Sequence, residues 1–212
     1  MASLVGAFGR ACFDSKPFRH WLVSEVFPDG MTSALRRLPF PCPHLDGVSG
    51  KRELHNDQRH YFDGPNNQRF DVCASVAEAF QSPAVVRAIQ ATTGAALSGS
   101  YVRLEYALDT DGFWLKPHTD LGVKCFTMLI YLRESEDQAD LGTDLYADPA
   151  TWMKRPAFAD NSAVVFVPGA GTWHGLAPRA IPGVRRTVIM NYVTDQWRAR
   201  EQLAYPETPV RA

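Results

Sequence analysis

The sequence lacks the features that define several large classes of protein. It has only four cysteines in 212 residues, with no CxxC pair, and this predicts reduced thiols in a cytoplasmic protein. No apolar run approaches the length of a membrane span. The N-terminal segment has neither a basic start nor a long apolar stretch, so no signal peptide is expected. The sequence also has no internal repeat and no low-complexity tract.

An excess of charge of either sign is also missing. The chain contains 22 Lys and Arg against 23 Asp and Glu, which gives a formal net charge of -1. This balance argues against a nucleic-acid or membrane-surface partner, although it leaves room for a local basic patch. Hydrophobic residues make up 45% and charged residues 21% of the chain, as is ordinary for a soluble globular protein. We therefore expect one domain over residues 1–212 with a sizeable core.

The first half of the chain shows mostly helical spacing. Ser15 and Pro17 indicate a helix start, and the apolar residues from Phe18 to Val26 recur at helical intervals. Three further helices are predicted over residues 31–37, 72–80 and 83–94. Between them, residues 48–70 are polar and irregular, as is typical of loops that cover a functional site.

Beyond Gly99 the pattern changes to short strands separated by turns. The alternating or continuously apolar runs are SYVRLEYAL, LKPHTD, CFTMLIYL, LGTDLYAD, NSAVVFV, WHGL and VRRTVIMNYVT. Helices followed by about eight short strands predict a mainly β fold with α, in which a helical layer packs on a β-sandwich or jelly roll.

The strongest chemical signal lies in WLKPHTDLGVKCFTMLIYL, residues 114–132. Alternate side chains of a strand share a face, so His118 and Asp120 are expected to project together. His174 follows another core strand and a Gly-rich turn, and is the expected third donor. Two neutral imidazoles and one carboxylate occupy one face of an octahedron and leave three positions open, which is the pattern of non-haem Fe(II) oxygenases.

Two neighbouring features are weaker candidates for metal ligands. A second HxD triplet, His55-Asn56-Asp57, sits in a charged segment with no apolar strand after it, and we do not expect it to bind metal. Cys125 follows Asp120 by five residues, which would place it on the opposite face of a regular strand. It is therefore not counted as a ligand.

Two adjacent arginines in GVRRTVIMNYV are candidates for binding a carboxylate. A guanidinium holds a carboxylate through two parallel hydrogen bonds. Strand alternation places Arg185 and Thr187 on one face and Arg186 on the other. Because the Thr187 hydroxyl offers a further donor on the same face, Arg185 is preferred over Arg186 as the group that holds the far carboxylate of a dicarboxylic keto acid.

Together these motifs resemble the 2-oxoglutarate/Fe(II)-dependent dioxygenase superfamily, and within it the prolyl-4-hydroxylase-like catalytic domains. The resemblance rests on Tyr106, Gly112, His118-Thr119-Asp120, FTMLIYL, LGTDLY, PGAGTWHG and GVRRT. It implies a double-stranded β-helix, or jelly roll, over about residues 100–194, with N-terminal support helices over about residues 15–98. One departure is Gly142-Thr143-Asp144, where the family often has two glycines before the acidic residue.

The resemblance also implies roles for individual residues. His118, Asp120 and His174 would bind Fe(II), and Arg185 with Thr187 would bind the C5 carboxylate of 2-oxoglutarate. Tyr106 matches a strand tyrosine that often contacts 2-oxoglutarate, although a core position suits it equally well. The implied activity is hydroxylation of a small polar molecule, which consumes O2 and 2-oxoglutarate and releases succinate and carbon dioxide.

Two alternatives remain open. A cupin-like metal enzyme that does not use 2-oxoglutarate would not need Arg185, and a catalytically silent relative would act as a binding module of the same fold. No nucleic-acid or membrane partner is expected in either case. Charged residues of segment 48–70, together with Lys116, could face an anionic or polar substrate, although a solvated loop explains each of them individually.

Overall fold

The computed structural model describes residues 1–45, 50–51 and 59–212. The helices in this part of the chain are α1 (Ala2–Gly9), α2 (Met31–Arg36), α3 (Gly64–Arg69), α4 (Asp71–Gln81) and α5 (Pro83–Thr93). The strands are β1 (Cys12–Asp14), β2 (His20–Ser24), β3 (His60–Tyr61), β4 (Tyr101–Thr110), β5 (Leu115–His118), β6 (Lys124–Tyr131), β7 (Asp144–Asp148), β8 (Thr151–Lys154), β9 (Ser162–Phe166), β10 (His174–Leu176) and β11 (Val184–Val193).

The strands form two antiparallel sheets. The larger sheet has seven strands in the order β1-β2-β9-β6-β11-β4-β3, and the smaller has four in the order β5-β10-β7-β8. The architecture is therefore mainly β with a few helices, in agreement with the predicted jelly roll. None of the described helices is long and apolar enough to cross a membrane.

The two faces of the larger sheet carry different side chains. On β4, the even-numbered residues from Val102 to Leu108 are apolar or aromatic and belong to the main core, which also contains residues of α1, α4 and α5. The odd-numbered Arg103, Glu105 and Asp109 point to the other face and are also buried. A second apolar cluster joins that face to the smaller sheet. The molecule thus has a helical layer, a large sheet and a small sheet, with polar groups concentrated between the two sheets.

Most of the predicted elements are present. The helices predicted over residues 31–37, 72–80 and 83–94 correspond to α2, α4 and α5, and the predicted strands correspond to β4–β7 and β9–β11. The polar segment 48–70 includes β3 and α3 in its described part. Arg52 and the triplet His55-Asn56-Asp57 lie outside the described residues.

The predicted helix after Ser15 is wrong. The chain there forms β2, in which Trp21 and Val23 are buried whereas Leu22 is 40% exposed. Trp21 pairs with Val165 of β9. Pairing with β9 buries alternate residues, so tertiary context decides the conformation over a spacing that also suits a helix. The support region is therefore not helical throughout, and a helix that was not predicted, α1, precedes it.

Candidate functional site

A cavity of about 670 Å³ lies between the two sheets. The predicted metal donors and the preferred carboxylate-binding pair all line it, namely His118, Asp120, His174, Arg185 and Thr187. These residues come from β5 and the turn after it, from β10 and from β11. The fold therefore brings together groups that are separated by more than 50 positions in the sequence.

The two histidines face each other across a strand pair. His118 ends β5, His174 begins β10, and the two residues are register partners with ring centroids 4.4 Å apart. The next residue, Gly175, allows the strands this approach, because a Cβ at this position would lie 2.8 Å from the Leu115 carbonyl oxygen. Such a contact is too short for any side chain, so the glycine helps to fix the spacing of the histidines.

Both imidazoles are oriented by backbone carbonyls. Nδ1 of His118 donates to the Lys116 oxygen at 2.9 Å, and Nδ1 of His174 donates to the Thr172 oxygen at 3.0 Å. A carbonyl can only accept, so Nδ1 carries a proton, and in the neutral form of either ring the Nε2 lone pair is left for a metal. Burial lowers the pKa of His174 to about 4, against the attraction of Asp120. His174 is thus a neutral imidazole near pH 7, the form that binds metal.

Asp120 lies at the site, but a different local structure from the predicted one places it there. Strand β5 ends at His118, so the alternation argument does not apply and Asp120 lies in the turn that follows. Its side chain is only 5% exposed. Oδ1 accepts from Nζ of Lys124, and Oδ2 accepts from the Thr127 hydroxyl at 2.6 Å. Burial opposes ionisation, but the charge of Lys124 and these hydrogen bonds outweigh it and hold the pKa of Asp120 well below its usual range.

The donor set fits a metal of the non-haem Fe(II) type, with one qualification. Two imidazole nitrogens and a carboxylate have the required chemistry. Within the described ranges, however, no three His, Cys, Asp or Glu side chains converge in metal-binding geometry. Both oxygens of Asp120 are engaged by Lys124 and Thr127. A metal ion would therefore share this carboxylate with Lys124 and Thr127, through the lone pairs that the two hydrogen bonds leave.

Arg185 and Arg186 have different environments. Arg185 lines the cavity and is buried; its Nε donates to the Leu141 oxygen and its Nη1 to Asp109, both at 2.7 Å. Arg186 points to the other face and forms an ion pair with Glu134. Only Arg185, of the two, is therefore placed to reach a ligand in the cavity.

Thr187 lies two residues from Arg185 on the same face and lines the same cavity. Its hydroxyl oxygen is buried, and it has no hydrogen-bond partner in the described part of the chain. A buried hydroxyl without a partner is costly. A ligand that brings a polar group to this end of the cavity would remove that cost.

Tyr106 does not line the cavity. It lies on the apolar face of β4, belongs to the main core, and donates its hydroxyl to the Leu35 oxygen at 2.8 Å. Its ring packs near Phe40 and Phe62. The core alternative is therefore the one that agrees with the structure, and the prediction that Tyr106 contacts 2-oxoglutarate is corrected. The reason is the alternation of β4, which directs even-numbered residues away from the cavity.

Three residues at the site were not predicted from the sequence. Lys124 and Thr127 hold Asp120, and Asp109 holds Arg185. A signal for Asp109 was present, because the odd-numbered charges of β4 alternate with apolar residues. For Lys124 and Thr127 the sequence offers no comparable signal, since their contact depends on the turn between β5 and β6.

Comparisons with known proteins give a clear result for structure and none for sequence. No protein-family model matches the sequence, and no curated protein matches it significantly. A prolyl-4-hydroxylase from Pseudomonas putida has a similar structure, with a TM-score of 0.55 and 16% identity over 91% of this chain and 98% of that one. A prolyl hydroxylase from Trichoplax adhaerens, solved with a fragment of hypoxia inducible factor, gives a TM-score of 0.59 and 11% identity over 93% and 90%.

A third similar structure comes from an enzyme solved with ligands. HygX from Streptomyces hygroscopicus, with nickel and 2-oxoglutarate bound, gives a TM-score of 0.52 and 14% identity over 91% of this chain and 90% of that one. At these identities the likeness establishes a shared fold. The resemblance to prolyl-4-hydroxylase-like oxygenases that the sequence motifs indicated is thus confirmed at the level of fold.

Proposed function

We propose that the protein is a non-haem Fe(II)- and 2-oxoglutarate-dependent dioxygenase, with one catalytic domain of the double-stranded β-helix type over residues 1–212. The observation that carries the proposal is the cavity itself. It contains two oriented imidazole donors, a buried ionised carboxylate and a buried arginine beside a hydroxyl that has no partner among the described residues. Few other chemistries require this combination in one pocket.

In this proposal, His118, Asp120 and His174 hold the metal. Fe(II) together with 2-oxoglutarate would supply the oxidative chemistry by activating O2, which no protein side chain can do. The backbone carbonyls of Lys116 and Thr172 keep the two imidazoles in the ligand tautomer. The Thr127 hydroxyl donates to Oδ2 of Asp120 and thereby fixes the orientation of this carboxylate.

Arg185 and Thr187 would hold the far carboxylate of 2-oxoglutarate. Arg185 uses Nε and one proton of Nη1 within the protein, and no hydrogen bond to a described residue uses Nη2. This leaves the outer edge of the guanidinium for a ligand, next to the Thr187 hydroxyl. The apolar side chains of Leu129, Leu176 and Ile189 line the same cavity and would exclude water from the bound cosubstrate.

The proposed reaction is hydroxylation of a small polar molecule, with release of succinate and carbon dioxide. The cavity is of the size that holds small ligands, and part of its lining comes from chain segments outside the strand pairs of the two sheets. The polar loop contributes Gly50 and Lys51 to the lining, and the C-terminal segment contributes Trp197 and Gln202. Such segments are where specificity is expected to reside.

One contact favours a second candidate function, in which the protein does not use 2-oxoglutarate. Asp109 already pairs with Arg185 inside the protein, which would weaken the attraction of Arg185 for a dicarboxylate. A metal-dependent enzyme without 2-oxoglutarate, or a silent binding module, would have no other use for Arg185 and could retain it as half of a buried ion pair.

The test is a calorimetric comparison of 2-oxoglutarate with glutarate. Glutarate has both carboxylates but lacks the keto oxygen, so it can reach Arg185 without chelating a metal. The proposal predicts that the Mn(II)-loaded protein binds 2-oxoglutarate more tightly than glutarate, and that the preference disappears without metal. Equal binding of both compounds to the Mn(II)-loaded protein would favour a dicarboxylate-binding module, and no binding of either would favour metal chemistry without 2-oxoglutarate.

A further inference from the structure

The cavity is strongly cationic although the chain is not. Among the described residues, six cationic side chains and two carboxylates line it, namely Lys51, Arg59, Arg103, Lys116, Lys124 and Arg185 against Glu105 and Asp120. The whole chain has 22 Lys and Arg against 23 Asp and Glu. Charge of one sign in a cleft raises the local concentration of ligands of the opposite sign. The concentration of cations here is thus a property of the site and not of the composition.

The three arginines of this set are held by carboxylates of the protein. Arg59 and Arg103 both bind Glu105, and Arg103 also donates to Asn191 and Gln202. Arg185 binds Asp109. The remaining cations are Lys51, Lys116 and Lys124, which we call the lysine cluster.

Lys51 and Lys116 are placed side by side by the backbone. The Lys116 amide donates to the Gly50 oxygen at 3.1 Å, so the segment of Gly50 and Lys51 runs against β5. The Trp114 ring packs on Gly50 so closely that a Cβ there would lie 2.4 Å from it. Both lysines are exposed, and neither forms an ion pair with a described residue. Two ammonium groups at the mouth of a cavity favour an anion between or beside them.

Lys124 lies deeper and depends on Asp120. Its side chain is 15% exposed, and its partner in the structure is the carboxylate of Asp120. A metal dication at Asp120 would satisfy that carboxylate and compete with Lys124 for it. A largely buried ammonium that loses its counterion is costly unless another anion takes its place. Binding of the metal would thus place a second cation at the counterion of Lys124 and favour a further anion beside this ammonium group.

We propose that the substrate is a small anion, and that its carboxylate or phosphate group binds the lysine cluster on the side of the cavity that does not contain Arg185. This inference rests on the proposed function and names the substrate class of the same site. Lys116 and Lys124 line the cavity together with His118 and Asp120, and Lys124 contacts Asp120, so the acidic group would bind beside the metal ligands and orient the substrate there.

The experiment titrates inorganic phosphate, and separately acetate, into the Mn(II)-loaded protein with and without saturating 2-oxoglutarate, at constant ionic strength. The variants are the double substitution Lys51→Met and Lys116→Met, and Lys154→Met as a matched control. Lys154 ends β8, pairs with Asp14 of β1 and is not among the cavity-lining residues. We expect one of the two anions to bind in the presence of 2-oxoglutarate and the double variant to lose about tenfold in its affinity, with no change in the control.

Each result of these titrations either supports or contradicts an anion site at the lysine cluster. Tighter binding of phosphate would identify a phosphorylated substrate, and tighter binding of acetate a carboxylic acid. If neither anion binds, or if the double variant binds both as well as the wild type does, the lysine cluster is not an anion site. If both anions bind only without 2-oxoglutarate and the double substitution has no effect, they occupy the Arg185 end and the proposal fails. If 2-oxoglutarate itself does not bind, the proposed function fails, yet the lysine variants still report on anion binding.

Discussion

His118 and His174 are register partners in the pair of β5 and β10, and their rings lie 4.4 Å apart in a cavity between the two sheets. Each ring is held through Nδ1 by a carbonyl two residues before it in the chain. The same local device therefore orients both imidazoles, and Gly175 sets the distance between their strands. This arrangement orients two imidazole donors, tilted by 48° to each other, without help from a metal, and such preorganisation lowers the cost of binding one.

Replacing His174 tests the metal centre. His174→Ala removes one nitrogen donor from the cavity wall, and we expect the affinity for Mn(II) to fall by about 100-fold or more, because a carboxylate and one imidazole make a weak site. Calorimetry measures the affinity, and circular dichroism checks that the fold persists. His44→Ala is the control, because His44 is exposed. Unchanged Mn(II) affinity in His174→Ala would remove His174 from the ligand set.

The two adjacent arginines give a matched pair of variants. Arg185→Met should weaken 2-oxoglutarate binding by about 100-fold, since a buried charge-assisted contact is lost. Arg186→Met should leave the affinity within about threefold, because Arg186 pairs with Glu134 on the other face of β11. Titration of 2-oxoglutarate into the Mn(II)-loaded variants measures both. The opposite order of effects would show that Arg186, and not Arg185, binds the carboxylate of 2-oxoglutarate.

Lys124 should compete with the metal for Asp120. Lys124→Met leaves a buried carboxylate without its counterion, so the metal-free protein should lose about 3 kcal/mol in its free energy of unfolding. The same change should raise the Mn(II) affinity by about tenfold, because the competing cation is gone. Urea unfolding and calorimetry measure the two effects, with Lys154→Met as the control. A fall in the Mn(II) affinity would instead indicate that Lys124 positions Asp120 for the metal.

Asp144 is expected to support the smaller sheet. Its fully buried carboxylate accepts from Arg155, Arg179, the Trp152 indole and the Ala177 amide, which follows β10. Asp144→Asn leaves two guanidinium groups without their shared anion, and we expect a loss of about 3 kcal/mol in the free energy of unfolding. Asp140→Asn is the control, because Asp140 is exposed in its pair with Arg155. Equal urea midpoints for the two variants would show that Asp144 has no special role.

His20 should make the stability depend on pH. It is buried on β2, and burial lowers its pKa below the ordinary value of 6.5, with Asp14 and Lys154 as the nearby charges. The unfolded chain therefore takes up a proton at His20 in a range where the folded protein does not. The free energy of unfolding should fall as the pH drops from 6.5 towards the lower folded pKa. His20→Gln should flatten this part of the stability profile, and an unchanged slope would contradict the assignment.

The sequence predicted the site better than it predicted the local structure around it. The strand that carries Arg185 follows from a long apolar run, whose burial needs no special context. His174 follows from the core strand and the Gly-rich turn that precede it. The position of Asp120 was correct for the wrong reason, because β5 ends at His118 and the turn, not strand alternation, directs the carboxylate inward. Turn geometry of this kind depends on tertiary contacts such as the hydrogen bond from Thr127, which no short-range pattern encodes.

The predictions from the sequence omitted mainly the counterions of the site residues. Asp109 and Lys124 hold Arg185 and Asp120, and each pair joins residues whose contact depends on strand register or on a turn. Register follows from which strands pair, and this information is not local. The error at β2 has the same origin, since its pairing with β9 overrides helical spacing.

The most direct test of the central proposal is the visible spectrum of the anaerobic protein loaded with Fe(II), recorded before and after addition of 2-oxoglutarate. A keto acid that chelates iron through its carboxylate and keto oxygen gives a weak charge-transfer band in the visible region. We predict that band for the wild type and its loss in His174→Ala. If the wild type binds iron and 2-oxoglutarate without producing the band, the two do not meet in the cavity, and the proposed dioxygenase activity is contradicted.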